Sequence, residues 1–192
     1  MILFKKVKQN IVKINNYILS IIINYMTSLN LFKKKKCDDY NTPLYVWKML
    51  LDYLDLGKNT IIYEPFYNNG ESKSYLGKLG YDNVIHENED FFENYIHYNF
   101  DIILSNPPYS IKQNILKVLH QLDKPFVLIV PTAIISKLYV KNIFKDDIDK
   151  IQFIIPNRRL QFEVNGYNQK RTPFDTLFMC YKLELKRDIV YL

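Results

Sequence analysis

The sequence predicts an α/β fold in which a mostly parallel, doubly wound sheet carries helices on both faces. Three observations predict it. From Asp38 onward, short β-branched runs alternate with segments of helical apolar spacing. Pro125 to Val130 is a continuous apolar run, as expected for a strand covered on both faces. Gly, Pro and Asn stand at the boundaries between these segments, where the chain must turn.

Taken in order, Thr42-Pro43 marks a helix start, with Thr as N-cap and Pro in the first turn. Tyr45, Val46, Met49, Leu50, Tyr53 and Leu54 then recur at helical spacing, and Asp55-Leu56-Gly57 ends the helix. Thr60 to Tyr63 reads as a short buried strand, followed by the loop Glu64 to Gly70. Ser72 to Leu79 suits a helix closed by Gly80, and Asn83 to His86 a second strand. Phe100 to Ser105 is a strand ending at Asn106. Ile111 to Leu122 is a helix, Pro125 to Val130 a strand, Ile134 to Phe144 a helix and Ile151 to Ile155 a strand. Thr176 to Tyr181 is expected to be the last strand of the core, after a polar, Arg-containing excursion from Asn157 to Thr172. In such sheets ligands bind beyond the carboxyl ends of strands, near the point where strand order reverses. Two loops leave strand ends with unusual chemistry: Glu64 to Gly70, and Asn106 to Tyr109.

The chain has 192 residues, enough for one domain, and 48% of them are hydrophobic, so global disorder is excluded. We divide it into an amphipathic, basic extension over 1–37 and a domain over 38–192. The formal charge of +6 and a pI near 9.1 favour a polyanionic partner, although much of the excess sits in Lys33 to Lys36 and the N-terminal segment. Cys37 and Cys180 lie far apart, and His86, His97 and His120 form no ligand pattern, so neither a disulfide framework nor a metal site is expected. A reducing intracellular compartment fits. Ile11 to Phe32 is apolar, but Lys13, Asn15, Asn16, Asn24 and Asn30 interrupt it. An amphipathic helix is expected there rather than a membrane span, unless translation starts at Met26.

The sharpest signal is Asn106-Pro107-Pro108-Tyr109. Two prolines after a buried strand cannot continue a ladder and fix a rigid turn. Asn106 offers an amide oxygen and an NH2, and Tyr109 a flat face. A planar group bearing an amine fits this corner. Its two protons go to the Asn106 side-chain oxygen and the Pro107 carbonyl, which frees the nitrogen lone pair for attack on a methyl group.

The string resembles the Asn/Asp-Pro-Pro-Tyr/Phe motif of amino-group methyltransferases, and the resemblance spans roughly Tyr40 to Leu183. It implies a Rossmann-like, seven-stranded, mostly parallel sheet and S-adenosylmethionine as methyl donor. Members act on N6 of adenine in DNA or RNA; relatives act on guanine N2 in RNA or on protein glutamine. Glu64-Pro65-Phe66-Tyr67-Asn68-Asn69-Gly70 resembles the family's donor loop, with the acid facing the donor's cationic amino group. It departs at Asn68, where the family usually has Gly; Asn tolerates the left-handed region better than most residues. By the same resemblance Glu87 holds the ribose hydroxyls, Asp90-Phe91 meets the donor's adenine, and Thr42-Pro43 covers its methionine end.

On the substrate side, Arg158, Arg159, Lys170 and Arg171 are candidates for phosphate contacts, and Thr172 to Asp175 for re-entry beside Tyr109. The expected partner is nucleic acid, DNA ahead of RNA, with no separate target-recognition domain in view. Methylation of adenine N6 leads; an RNA or protein-glutamine methyltransferase and a non-catalytic binding module stay open. The phosphate-cradling Gly-x-x-x-x-Gly-Lys-Ser/Thr loop, Gly-x-Ser-x-Gly and His-Glu-x-x-His are all absent.

Overall fold

The computed structural model describes residues 40–164, 167–168 and 174–192. The N-terminal extension, Cys37, Lys170 and Arg171 lie outside them.

Seven strands form one sheet: β1 (Ile62–Tyr63), β2 (Val84–Ile85), β3 (Ile102–Ser105), β4 (Phe126–Pro131), β5 (Ile151–Ile155), β8 (Thr176–Tyr181) and β9 (Ile189–Tyr191). A separate hairpin pairs β6 (Glu163–Val164) with β7 (Tyr167–Asn168). The sheet order is β2-β1-β3-β4-β8-β5-β9. Only β8 runs against its neighbours, pairing antiparallel with both β4 and β5. The sheet is therefore seven-stranded and mostly parallel, and it is Rossmann-like.

The helices are α1 (Leu44–Leu54), α2 (Glu71–Lys78), α3 (Phe91–Asn94), α4 (Lys112–Leu122) and α5 (Leu138–Phe144). They lie on both faces. Strand side chains alternate, so Ile103, Phe126, Leu128, Val130 and Met179 share one core with Phe91, Ile115, Leu119 and Phe144. Ile102, Leu104, Val127, Ile129 and Phe178 share the other with Val46, Trp47, Leu50 and Leu76. The central β4 and β8 are buried from Phe126 to Val130 and from Thr176 to Tyr181, the pattern of strands covered on both sides.

Several details differ from the sequence expectation, among them a helix that begins at Leu138 rather than Ile134 and a hairpin in the stretch read as a polar excursion. The sheet does not end at Tyr181: β9 adds a parallel edge strand beside β5, Phe153 opposite Ile189 and Ile155 opposite Tyr191. Lys186-Arg187-Asp188 conceals so short a strand, whose pairing is entirely non-local. The N-cap of α1 is Pro43 and not Thr42, and no side chain caps it. The inner face of α1 holds Trp47 and Leu51 beside the expected Val46 and Leu50, and the indole is the largest fully buried side chain among the described residues.

After β1 the chain moves outward to β2 and then returns to place β3 on the other flank of β1. The strand order thus reverses between β1 and β3, and parallel pairing puts their carboxyl ends side by side. That is where a doubly wound sheet leaves a crevice.

Candidate active site

Both unusual loops leave from this reversal point. Glu64 follows β1 directly and Asn106 follows β3 directly. They are joined at the base, where the Ser105 hydroxyl donates to Glu64 Oε1 at 2.5 Å. The same oxygen accepts the Phe66 amide at 3.1 Å. Glu64 is 2% exposed, and no Lys, Arg or His among the described residues forms an ion pair with it. Burial pushes its carboxyl up to about 8, against smaller opposing effects of hydrogen bonds from Ser105, Phe66 and Ser72. A lone buried acid of this kind is set to become charged when a cation arrives.

The loop after Glu64 depends on two left-handed residues. Gly70, at φ 80°, caps α2, and a Cβ there would lie 2.6 Å from the Tyr67 hydroxyl. Only glycine fits that position without displacing Tyr67. Asn68 sits at φ 47°, a region asparagine enters more readily than most residues, so the turn forms without the expected glycine. Tyr67 in turn stacks on His86, with ring centroids 5.0 Å apart and planes at 25°. His86 is buried, and its Nδ1 lies 2.8 Å from the Glu64 carbonyl, which only accepts, so Nδ1 carries the proton. Burial lowers the imidazole pKa and keeps the ring neutral.

At the diproline corner all of Asn106 to Tyr109 is buried. Asn106 Nδ2 donates to the Tyr40 carbonyl at 3.0 Å, and Asn106 Oδ1 accepts from the Tyr109 hydroxyl at 2.9 Å. Because a carbonyl cannot donate, the Tyr40 contact fixes which edge of the amide is nitrogen. The amide oxygen retains a second lone pair for another donor. Asn68 Nδ2 donates to the same Tyr40 carbonyl at 3.3 Å, so residue 40 bridges the two loops. This Tyr40 contact was not legible in the sequence, because the main chain makes it across 66 residues. Phe174 stands 5.4 Å from the Tyr109 ring, while Thr172 and Pro173 of the expected re-entry lie outside the described residues.

The remaining candidates fall as follows. Thr42 is 4% exposed and its hydroxyl has no hydrogen-bond partner among the described residues. Pro43 and Pro65 are buried, and Phe66 packs on Phe91 at 5.2 Å. Phe91 belongs to the ring cluster with Phe92 and Tyr95. Asp90 caps α3, accepting the Phe92 amide at 2.7 Å. Glu87 is exposed and lies 3.4 Å from Lys73. Arg158 lies over the Tyr45 ring at 4.4 Å, and Arg159 pairs with Asp175 at 3.1 Å; both are exposed. No cluster of three His, Cys, Asp or Glu able to hold a metal occurs among the described residues, nor does any helix long and apolar enough to cross a membrane.

No family profile and no curated protein matches the sequence. Solved structures do resemble it in shape. Precorrin 8w decarboxylase from Methanobacterium thermoautotrophicum is 14% identical over 78% of this chain and 95% of its own, with a TM-score of 0.47. A Listeria monocytogenes protein assigned to the class I S-adenosylmethionine-dependent methyltransferases is 13% identical over 79% of this chain and 64% of its own, at 0.45. A modification subunit assigned to a type I restriction enzyme of Vibrio vulnificus is 12% identical over 82% of this chain, at 0.48. The chain spans 48% of that subunit's length.

Proposed function

We propose that the protein is an S-adenosylmethionine-dependent methyltransferase that modifies an amino nitrogen, foremost N6 of adenine in DNA. One observation carries this reading: a buried acid with no ion pair among the described residues and an oriented asparagine amide leave neighbouring strand ends at the strand-order reversal, and Ser105, which precedes Asn106, donates to Glu64 at 2.5 Å. The first suits a cationic amine and the second a neutral one.

The residues present fit the donor. Glu64 would hold its ammonium group, and the buried Thr42 hydroxyl, without a hydrogen-bond partner among the described residues, would donate to its carboxylate. The tight turn at Gly70 lets the backbone approach closely. When bound, the donor supplies an electrophilic methyl group on a sulfonium. Asn106 Oδ1 would accept a hydrogen bond from one amine N–H on its second lone pair, and the Pro107 carbonyl a hydrogen bond from the other; once the methyl is transferred the nitrogen sheds one proton to solvent. These two bonds draw the nitrogen toward a pyramidal form and point its lone pair away from the ring. The stiff diproline turn fixes both acceptors before substrate arrives, so little reorganisation is needed at the moment of transfer. In duplex DNA the target base must be flipped out of the stack. Arg158 and Arg159 would meet phosphate; their exposed partnerships are weak enough to exchange.

The test combines titration calorimetry with transfer of labelled methyl to DNA, RNA and protein. Wild type should bind the donor and label DNA. Asn106→Ala should lose transfer by at least about a hundredfold while donor affinity changes little. Labelled RNA or protein alone would redirect the substrate, and a chain with no donor affinity at millimolar concentration is not a methyltransferase.

A further inference from the structure

The helices on one face of the sheet carry opposite charges at its two ends. α3, α4 and α5 all pack on that face, through Phe91 and Phe92, Ile115 and Leu119, and Val140 and Phe144. Residues 82–101, which surround α3, hold six acids and no Lys or Arg. Residues 112–145, which include α4 and α5, hold six lysines and one acid, Asp123. That acid pairs with Lys182 at 2.6 Å. Lys112 and Lys124 donate to the carbonyls of Tyr109 and Phe100. The other four, Lys117, Lys137, Lys141 and Lys145, are exposed and form no ion pair among the described residues. Lys137, Lys141 and Lys145 recur every fourth residue from one end of α5 to the other, so they line one side of it over roughly 12 Å. Each strand of a duplex carries one phosphate per about 3.4 Å of axis, so such a row meets about three. β4 runs parallel to β3, which puts the turn after β4 on the same sheet edge as Asn106. In that turn Ile135, 55% exposed, and Leu138, 70% exposed, flank Lys137 as an apolar knob.

We propose that the lysine row of α5, with the Ile135–Leu138 knob at its upper end, is the surface on which a nucleic-acid backbone docks beside the site. The inference rests on the reading of the protein as a nucleic-acid methyltransferase and adds the side from which the strand is held. The acids of 82–101 repel a polyanion from the α3 flank of the mouth, and the lysines of α4 and α5 draw it to the other. Arg158 and Arg159 are less available for the task, since each already has a partner, Tyr45 and Asp175 respectively. Phosphates meet the lysines, while Ile135 and Leu138 reach the groove, where aliphatic wedges open base steps. That is the kind of contact a base leaving its stack requires. A second copy of the chain does not suit the surface, because a two-fold contact would bring the lysine row against itself.

The experiment titrates the full chain into short labelled DNA and RNA duplexes and follows fluorescence anisotropy over a range of salt; the tighter duplex gives the source of the phosphates. Lys137→Gln/Lys141→Gln should bind about tenfold more weakly at low salt, and the slope of log affinity against log salt should fall by about 2. Lys48→Gln/Lys78→Gln removes the same charge from exposed positions of α1 and α2 and should bind within about twofold of wild type. Ile135→Ser/Leu138→Ser should weaken binding about fivefold with the slope unchanged, because apolar contact releases no counterions. All three variants change exposed side chains only and should unfold at the wild-type temperature. Equal losses in the two lysine pairs, no loss in Lys137→Gln/Lys141→Gln, or wild-type binding by Ile135→Ser/Leu138→Ser overturns the proposal. So does a wild type that ignores both duplexes and sediments with vesicles of equal parts phosphatidylserine and phosphatidylcholine, since the surface would then face a membrane. A wild type that holds duplex through Lys137 and Lys141 but transfers no methyl keeps the surface and removes the proposed reaction. One that labels DNA equally well without those two lysines keeps the reaction and removes the surface.

Discussion

Replacing Glu64 by Gln should stabilise the protein at neutral and alkaline pH while removing donor binding. The carboxyl is 2% exposed and rises from 4.5 to about 8 on folding because burial disfavours its charge. In the unfolded chain it ionises near the ordinary value, so above about pH 4.5 the unfolded state is the one that has lost the proton. Folded protein then binds more protons than unfolded, and stability falls as pH rises, at up to about 1.4 kcal/mol per pH unit. The stability is fully present below about pH 4.5 and lost by about pH 8. Over that window the loss approaches about 5 kcal/mol, a large part of the 5–15 kcal/mol typical of a folded domain. Glutamine cannot ionise, yet it keeps an oxygen for the Phe66 amide and the Ser105 hydroxyl. Urea unfolding of both proteins from pH 5 to 9 reads the effect directly. The two curves should meet near pH 5 and diverge by several kcal/mol at pH 8–9, with the variant more stable. Parallel pH profiles, or a variant that is less stable at pH 8, would refute the claim that a buried, unpaired acid sits at the base of the site.

Other consequences are tested more simply. Donor binding at pH 7 should release close to one proton, because the incoming ammonium ionises a carboxyl that was mostly protonated; calorimetry in buffers of different ionisation enthalpy measures this, and no buffer dependence counts against Glu64 as the ammonium site. Gly70→Ala should cost about 1–3 kcal/mol in chemical denaturation, since φ 80° and a Cβ 2.6 Å from the Tyr67 hydroxyl cannot both be kept; an unchanged midpoint would show that the turn is not constrained. Asn68→Gly meets no backbone penalty at φ 47° and loses the exposed side-chain hydrogen bond to Tyr40 together with the side chain's other contacts, so its stability should stay within about 2 kcal/mol of wild type. A larger loss would mean that this asparagine does more than hold the turn.

Much of the fold was legible because its signals are local. The run Phe126 to Val130 reads as a doubly covered strand, and the parallel arrangement follows once helices separate the strands. That arrangement alone brings Glu64 and Asn106 together, since each follows a strand end. What could not be read depends on distant partners. β9 is three residues long and exists through pairing with β5. The β6–β7 hairpin, in the stretch read as a polar excursion, reaches back to Asn41 through two backbone hydrogen bonds with Glu163. That contact stands next to Tyr40, whose carbonyl meets Asn68 and Asn106. Propensity and periodicity carry no signal for a main-chain carbonyl shared by two side chains. Asp90 illustrates the reverse case: an acid between a strand and a helix is equally legible as a ligand contact and as a helix cap, and the structure uses its Oδ1 for the Phe92 amide.

The most direct measurement is the identity of the product. DNA incubated with the protein and S-adenosylmethionine is digested to nucleosides and analysed by mass spectrometry. N6-methyladenine should accumulate with wild type and be absent with Asn106→Ala at equal donor occupancy. An Asn106→Ala protein that still methylates, or a wild type that binds the donor and leaves the amines of DNA, RNA and protein unmodified, would contradict the account.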